Sequence, residues 1–214
     1  MHGMIENIMA VLLLVNLALT ASSRLAGCIG LVALQGVVIG LLPLFALEGF
    51  TPRGFFLAGF VIVLKGLIFP RLLANTIRNA SVRREVEPFV GYGSSLVIGT
   101  ALTVVAFWLG TKLPLPSSPE GMSLVLPGAI ATILIGLFLI VSRRKAVMQA
   151  LGYLVMENGI AAFGLAVVSK IPLLIELGIL LDAFVAIFVM AIMIYHISRE
   201  FDHMDADQLN TLKG

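Results

Sequence analysis

A chain of 214 residues that is 59% hydrophobic and 12% charged, with mean hydropathy +1.07, is an integral membrane protein, since a soluble domain carries roughly 25% charge. No polar stretch is long enough to build a second core, so the expectation is one membrane domain, 1–214, with no soluble catalytic domain. The formal net charge of +2, with basic residues beside apolar runs and not in a stripe with interleaved aromatics, gives nucleic-acid binding no support.

Apolar runs near 20 residues predict an all-α fold of seven transmembrane helices, at about 4–22, 25–47, 54–77, 90–111, 123–141, 146–168 and 172–196. The first, in MHGMIENIMAVLLLVNLALTASSR, superficially has the build of a signal peptide, but it lacks a basic n-region and carries Glu6, so it is read as a retained span. The second holds Cys28, the single cysteine. Its apolar setting makes packing its expected role, and one thiol excludes a disulfide framework, a CxxC pair or a cysteine-ligated cluster within the chain.

The third run carries Lys65 near its middle, in VIVLKGLIFPRLL. Pro70, five residues on, removes a backbone hydrogen bond and crowds the carbonyl of Gly66, which predicts a bend beside the lysine and a freed carbonyl for Lys65 or water. The alternative is that Lys65 is only the countercharge of one buried acid.

The sixth run, LGYLVMENGIAAFGLA, carries Glu157, and Gly152, Gly159, Ala161, Ala162 and Gly164 predict close approach of neighbouring helices there. A carboxyl group in so tight a site is desolvated and its charged form disfavoured, which brings proton loading and unloading towards neutral pH. Asn158 beside it is a candidate donor to a relay water. The alternative is a protonated Glu157 bonded to a carbonyl.

In the seventh run, IELGILLDAFVAIFVMAIMI, Asp182 lies near mid-depth with a side chain too short to snorkel, while Glu176 nearer the outer end either snorkels or forms an outer step. Six residues separate the two acids, a rotation of about 600°, so they do not share a helix face. Lys65, Glu157 and Asp182 together place roughly 7–10 kcal/mol on the fold on insertion scales, and intramembrane ionisable residues are functional candidates by default. The alternative is pairing that only fixes helix order.

The breaks between runs fall at Ser22-Ser23-Arg24, from Gly49 to Gly54 with Pro52, at the charged stretch Arg78 to Pro88, at Leu113 to Gly121 with three prolines, at Ser142 to Lys145, and at Ser169 to Pro172. One side collects Arg24, Arg71, Arg78, Arg83, Arg84, Arg143, Arg144, Lys145, Arg199 and Lys213, and the other has Arg53, Lys112 and Lys170. The positive-inside rule then puts the N-terminus outside and the C-terminus in the cytoplasm. A 3+1+3 internal repeat is an open reading: helices 1 to 3 and 5 to 7 share one plan, with Gly30 and Gln35 opposite Gly152 and Glu157, and Lys65 opposite Asp182 once the second gap is adjusted. The tail REFDHMDADQLNTLKG is read either as an interfacial or partner-docking segment or as a solvated end.

No phosphate loop, HExxH or GxGxxG pattern occurs, and His2, His196 and His203 lie at or beyond helix ends, so no redox cofactor, nucleotide or metal is expected in this chain. The stretch from Ser142-Arg143-Arg144 through GYLVMENG to ELGILLDA and NTLKG resembles hydrogenase-4 component E, a membrane subunit of group 4 nickel–iron hydrogenase and formate hydrogenlyase-type complexes. The similarity runs the length of the chain. Its last three helices, within 142–214, are also similar to the K subunit of respiratory complex I and the small subunit of multisubunit cation/proton antiporters. Asp182 matches the second buried acid of that subunit, with Asp for Glu, whereas Glu157 falls three residues later than the first.

The resemblance implies a non-catalytic membrane-arm subunit in the cell (inner) membrane, contacting antiporter-like membrane subunits and hydrophilic hydrogenase subunits that hold the nickel–iron and iron–sulfur centres. Glu157 and Asp182, with Glu176 and Asn158, would then relay protons or couple to sodium, and Lys65 would set their field. A subunit of a cation/proton antiporter without redox partners, and a purely structural wedge, are the competing expectations.

Overall fold

The computed structural model describes residues 2–46, 52–79, 89–113 and 124–167, and among them every regular element is a helix and none is a strand. In chain order these are α1 (His2–Ala21), α2 (Leu25–Ala46), α3 (Pro52–Val61), a π-helical segment (Ile62–Ile68), α4 (Phe69–Asn79), α5 (Tyr92–Lys112), α6 (Val125–Ser142) and α7 (Ala146–Val167). Pro52 opens α3 at the first helical position, where a missing N–H costs nothing and the fixed φ suits the helix.

Among the described residues five stretches are long and apolar enough to cross a membrane: Gly3–Ala21, Leu25–Leu42, Gly54–Asn75, Tyr92–Lys112 and Val125–Ser142. Helix α7 has 22 residues, ample for a core of about 30 Å, but Gln149, Glu157 and Asn158 dilute its apolar character. With several such helices the chain is a multi-pass membrane protein. The expected run at 172–196, and with it Glu176, Asp182 and the tail, lies outside the described residues.

The expected bend near Lys65 takes a specific form. Helices α3 and α4 are continuous through the π segment, whose last bond runs from the Phe69 N–H to the Leu64 carbonyl. Pro70 has no N–H to continue either a four- or a five-residue ladder, so the wider turn ends just before it. The lysine's ammonium donates to side chains of α7.

Small residues decide which helices touch. A Cβ on Gly136 of α6 would overlap the Met156 backbone of α7; one on Gly159 would lie 2.6 Å from Ile133 N, and one on Gly152 would lie 2.9 Å from Ile140 N. Helices α6 and α7 therefore meet backbone to backbone, as expected of Gly152 and Gly159. Around Gly164 no described residue lies within 4 Å of a would-be Cβ. On α2, a Cβ at Gly36 would lie 2.6 Å from Lys65 Cβ, so the missing side chain is what seats the π segment. Helix α5 stands further out, burying Ser95, Gly99 and Ala106 while Val97, Val104 and Trp108 face outward.

Two apolar clusters form the core. One joins Leu19, Leu25, Cys28, Leu73, Leu139 and Leu151 with their neighbours, and the other joins Met9, Leu12, Leu42, Val125, Ala129 and Ala162. Along α2, α6 and α7 Gln35, Thr132 and the pair Glu157-Asn158 lie between these clusters, and Asn16 of α1 follows Val15 at the near edge of the first. A polar layer is thus held between two dry ones.

Candidate functional site

Lys65 is flanked by outward-facing Val63 and Leu67, yet is itself only 4% exposed. A π turn accommodates more than four residues and shifts side-chain direction relative to an α-helix. Resting on Gly36, the segment carries the lysine stem across α2 towards α7. There its Nζ donates to Glu157 Oε1 at 2.7 Å and to Asn158 Oδ1 at 3.1 Å.

Glu157 and Asn158 are adjacent on α7 and both are buried, at 2% and 1% exposure. The ion pair cancels most of the charge that each partner would otherwise bring into the apolar layer, which is how a buried charge is ordinarily tolerated. Glu157 Oε2, in contrast, is buried with no hydrogen-bond partner. The carboxylate therefore has one oxygen fixed by the lysine and one available to a proton.

From Asn158 the polar contacts continue inward. Its Nδ2 donates to Gln35 Oε1 at 3.4 Å, Gln35 Nε2 donates to Asn16 Oδ1, Asn16 Nδ2 donates to Thr132 Oγ1 at 2.8 Å, and the Thr132 hydroxyl donates to the Gly128 carbonyl at 2.7 Å. Asn16, Gln35 and Thr132 are wholly buried. The string ties α1, α2, the π segment, α6 and α7 together through six side chains, Asn16, Gln35, Lys65, Thr132, Glu157 and Asn158.

Three expected site residues, Lys65, Glu157 and Asn158, converge in the structure, while Glu176 and Asp182 lie outside the described residues. Asn158 plays a different part from the one anticipated. Its amide donates to Gln35 and its carbonyl accepts from Lys65, so it bridges the ion pair to α2, and its second N–H is not used by these two contacts. Asn16 and Thr132 did not emerge from a search for ionisable groups, and Gln35 did so only as the position opposite Glu157. The signal that marks all three is an amide or hydroxyl in an otherwise apolar membrane run, which seeks an interhelical partner.

A second polar centre lies at the end of the bundle. Arg143, just beyond α6, is wholly buried, and its Nη2 donates to the Thr20 carbonyl at 3.0 Å at the end of α1. The Tyr92 ring lies 5.9 Å from the guanidinium, while Nε and Nη1 have no hydrogen-bond partner. Burial pulls the group below the usual arginine range. Arg143 is therefore a structural tie between α1, α5 and α6 as well as a contributor to the positive end. Among the described residues no group of three His, Cys, Asp or Glu could hold a metal ion.

Comparison with known proteins adds to this geometry. The family described as NADH-ubiquinone/plastoquinone oxidoreductase chain 4L matches residues 124–214. The uncharacterized protein Rv0085 of Mycobacterium tuberculosis is 33% identical over 205 residues, covering 94% of this chain and 92% of that one. Hydrogenase-4 component E of Escherichia coli K12 is 28% identical over 152 residues, covering 71% and 70%, and the protein of the same name from Shigella flexneri matches equally. No solved structure matches the chain.

Proposed function

This chain belongs to one family with Rv0085 and hydrogenase-4 component E, and we propose that it is a membrane-arm subunit of an ion-translocating nickel–iron hydrogenase complex of the formate hydrogenlyase type. Its seven spans form a single membrane domain in the cell membrane, N-terminus outside and C-terminus cytoplasmic, with residues 142–214 as the complex I K-like part. Antiporter-like membrane subunits flank it. Hydrophilic partner subunits hold the nickel–iron and iron–sulfur centres and carry out the redox chemistry. A 3+1+3 plan sets Gln35 opposite Glu157, and Gln35 bonds Asn158, the residue next to Glu157.

The observation that carries the reading is the buried Lys65–Glu157 pair, with one carboxylate oxygen bonded and the other without a partner. A proton arriving at Oε2 neutralises Glu157, weakens its hold on Lys65 and alters the field along the membrane plane. Loss of that proton restores the pair. Asp182 and Glu176 continue the line on the last helix, and the moving ion is a proton or is exchanged for sodium.

The test is proton translocation per turnover by the assembled complex carrying Glu157→Gln. A marked fall is expected, and an unchanged ratio would sink the relay. Nickel and iron in the isolated complex are expected as well; their lack there would favour a cation/proton antiporter. A structural reading is favoured by the same pair, since mutual neutralisation and ties to several helices also suit a registration device. In that case Glu157→Gln would leave transport intact while Lys65→Ala impaired assembly.

A further inference from the structure

The amide string behind Lys65 has a direction. From Asn158 through Gln35 and Asn16 to Thr132, each side chain accepts on the side nearer Lys65 and donates on the far side, ending at the Gly128 carbonyl. Every amide carbonyl therefore turns its negative end towards the lysine. Hydrogen bonds aligned in this way polarise one another, and in a buried setting the effect at the charged end is larger than in water. Reversing one amide would set two donors or two acceptors face to face at its neighbour.

We propose that Gln35, Asn16 and Thr132 form a positioning arm that holds the Asn158 carbonyl on Lys65, keeping its ammonium in place beside Glu157 when the acid is neutralised. Without the arm, the amide that accepts from Lys65 turns freely, and the ammonium loses one of its anchors at the moment the Glu157 charge is lost. The arm is also a stop. Its amides bear no readily exchangeable acid at neutral pH, and the Thr132 hydroxyl already donates to a backbone carbonyl. Protons reaching Glu157 consequently leave through its other oxygen and not towards α1.

This inference rests on the reading of the Lys65–Glu157 pair as an ion-coupling element. Its test compares Gln35→Leu, Thr132→Val and Thr132→Ser with Glu157→Gln in the whole purified complex, reading two quantities. These are protons moved per turnover in proteoliposomes and the position of Asn158 in a density map of each complex. In Gln35→Leu and Thr132→Val the Asn158 carbonyl is expected to leave Lys65, because the amide that held it has lost its own anchor, and protons per turnover are expected to fall well below those of the unaltered complex. Thr132→Ser, which keeps the hydroxyl, is expected to restore both. The ratio is taken per turnover of assembled complex, so a loss of assembly alone does not move it.

An Asn158 that stays on Lys65 in both arm variants overturns the arm. So does a displaced Asn158 with transport unchanged while Glu157→Gln abolishes it. Full transport by Glu157→Gln overturns the pair as a coupling element, a separate failure, and the map still decides whether the arm fixes Asn158.

Discussion

Lys65 and Glu157 are each expensive alone in an apolar layer and tolerable together, so their energies are far from additive. Replacing Lys65 with Met leaves a buried carboxylate without its countercharge and is expected to destabilise the protein by about 3–5 kcal/mol. Glu157→Gln similarly strands the ammonium, although its amide oxygen can still accept from Nζ, so the loss is smaller. Combining Lys65→Met with Glu157→Gln removes both charges and is expected to recover most of the stability lost by the first change. Thermal unfolding of the detergent-solubilised complex measures this cycle, and additive losses would mean that the two side chains do not form the pair. Of this site, the sequence exposes the charged members readily, because a lysine or glutamate in an apolar run conflicts with its surroundings. The direction in which each points is set by contacts between helices more than 90 residues apart in the chain, as in Lys65 to Glu157, and no local pattern encodes them. Asn16, Gln35 and Thr132 are quieter because uncharged polar groups cost less in such a run.

Among the helices, glycine placement divides into positions where a backbone lies against the missing side chain and positions where nothing does. Gly136 and Gly159 belong to the first kind and Gly30 and Gly164 to the second. Gly136→Ala and Gly159→Ala must push α6 from α7, for which a loss of about 1–3 kcal/mol and less assembled complex are expected. Gly164→Ala and Gly30→Ala are expected to leave assembly unchanged or slightly improved, since alanine is the better helix former. Quantifying assembled complex by native electrophoresis checks this, and equal losses from all four changes would contradict the backbone contact between α6 and α7. The sequence announced a small-residue face on α7 but not its extent, because apolar periodicity is weak where a helix is apolar nearly all round. The same limit applies to the π segment. Pro70 signals an interrupted ladder, while the choice between a kink and a wider turn depends on the seat that Gly36 offers on α2.

Across the whole bundle, hydrogen bonds fix which helix ends lie together. Arg143 Nη2 to the Thr20 carbonyl, at 3.0 Å, and Phe89 N to the Ser142 carbonyl, at 2.9 Å, place the end of α1, the approach to α5 and the end of α6 at one face. Arg24, Arg144 and Lys145 lie in the connections at this face, whereas Lys112 closes the far end of α5. Among the described residues, Arg24, Arg143, Arg144 and Lys145 therefore gather at one end of the bundle, the kind of asymmetry from which the positive-inside rule draws orientation. Exposed Arg24 and Lys112 can be replaced singly by cysteine, and the natural Cys28 is wholly buried and gives little background. A membrane-impermeant maleimide is expected to label Lys112→Cys in intact cells and Arg24→Cys only after permeabilisation. Labelling in the reverse order would turn the bundle over and place the basic connections outside. The Lys65–Glu157 pair would keep its place between the apolar clusters in that case, since the contacts that hold it do not depend on which end of the bundle faces the cytoplasm.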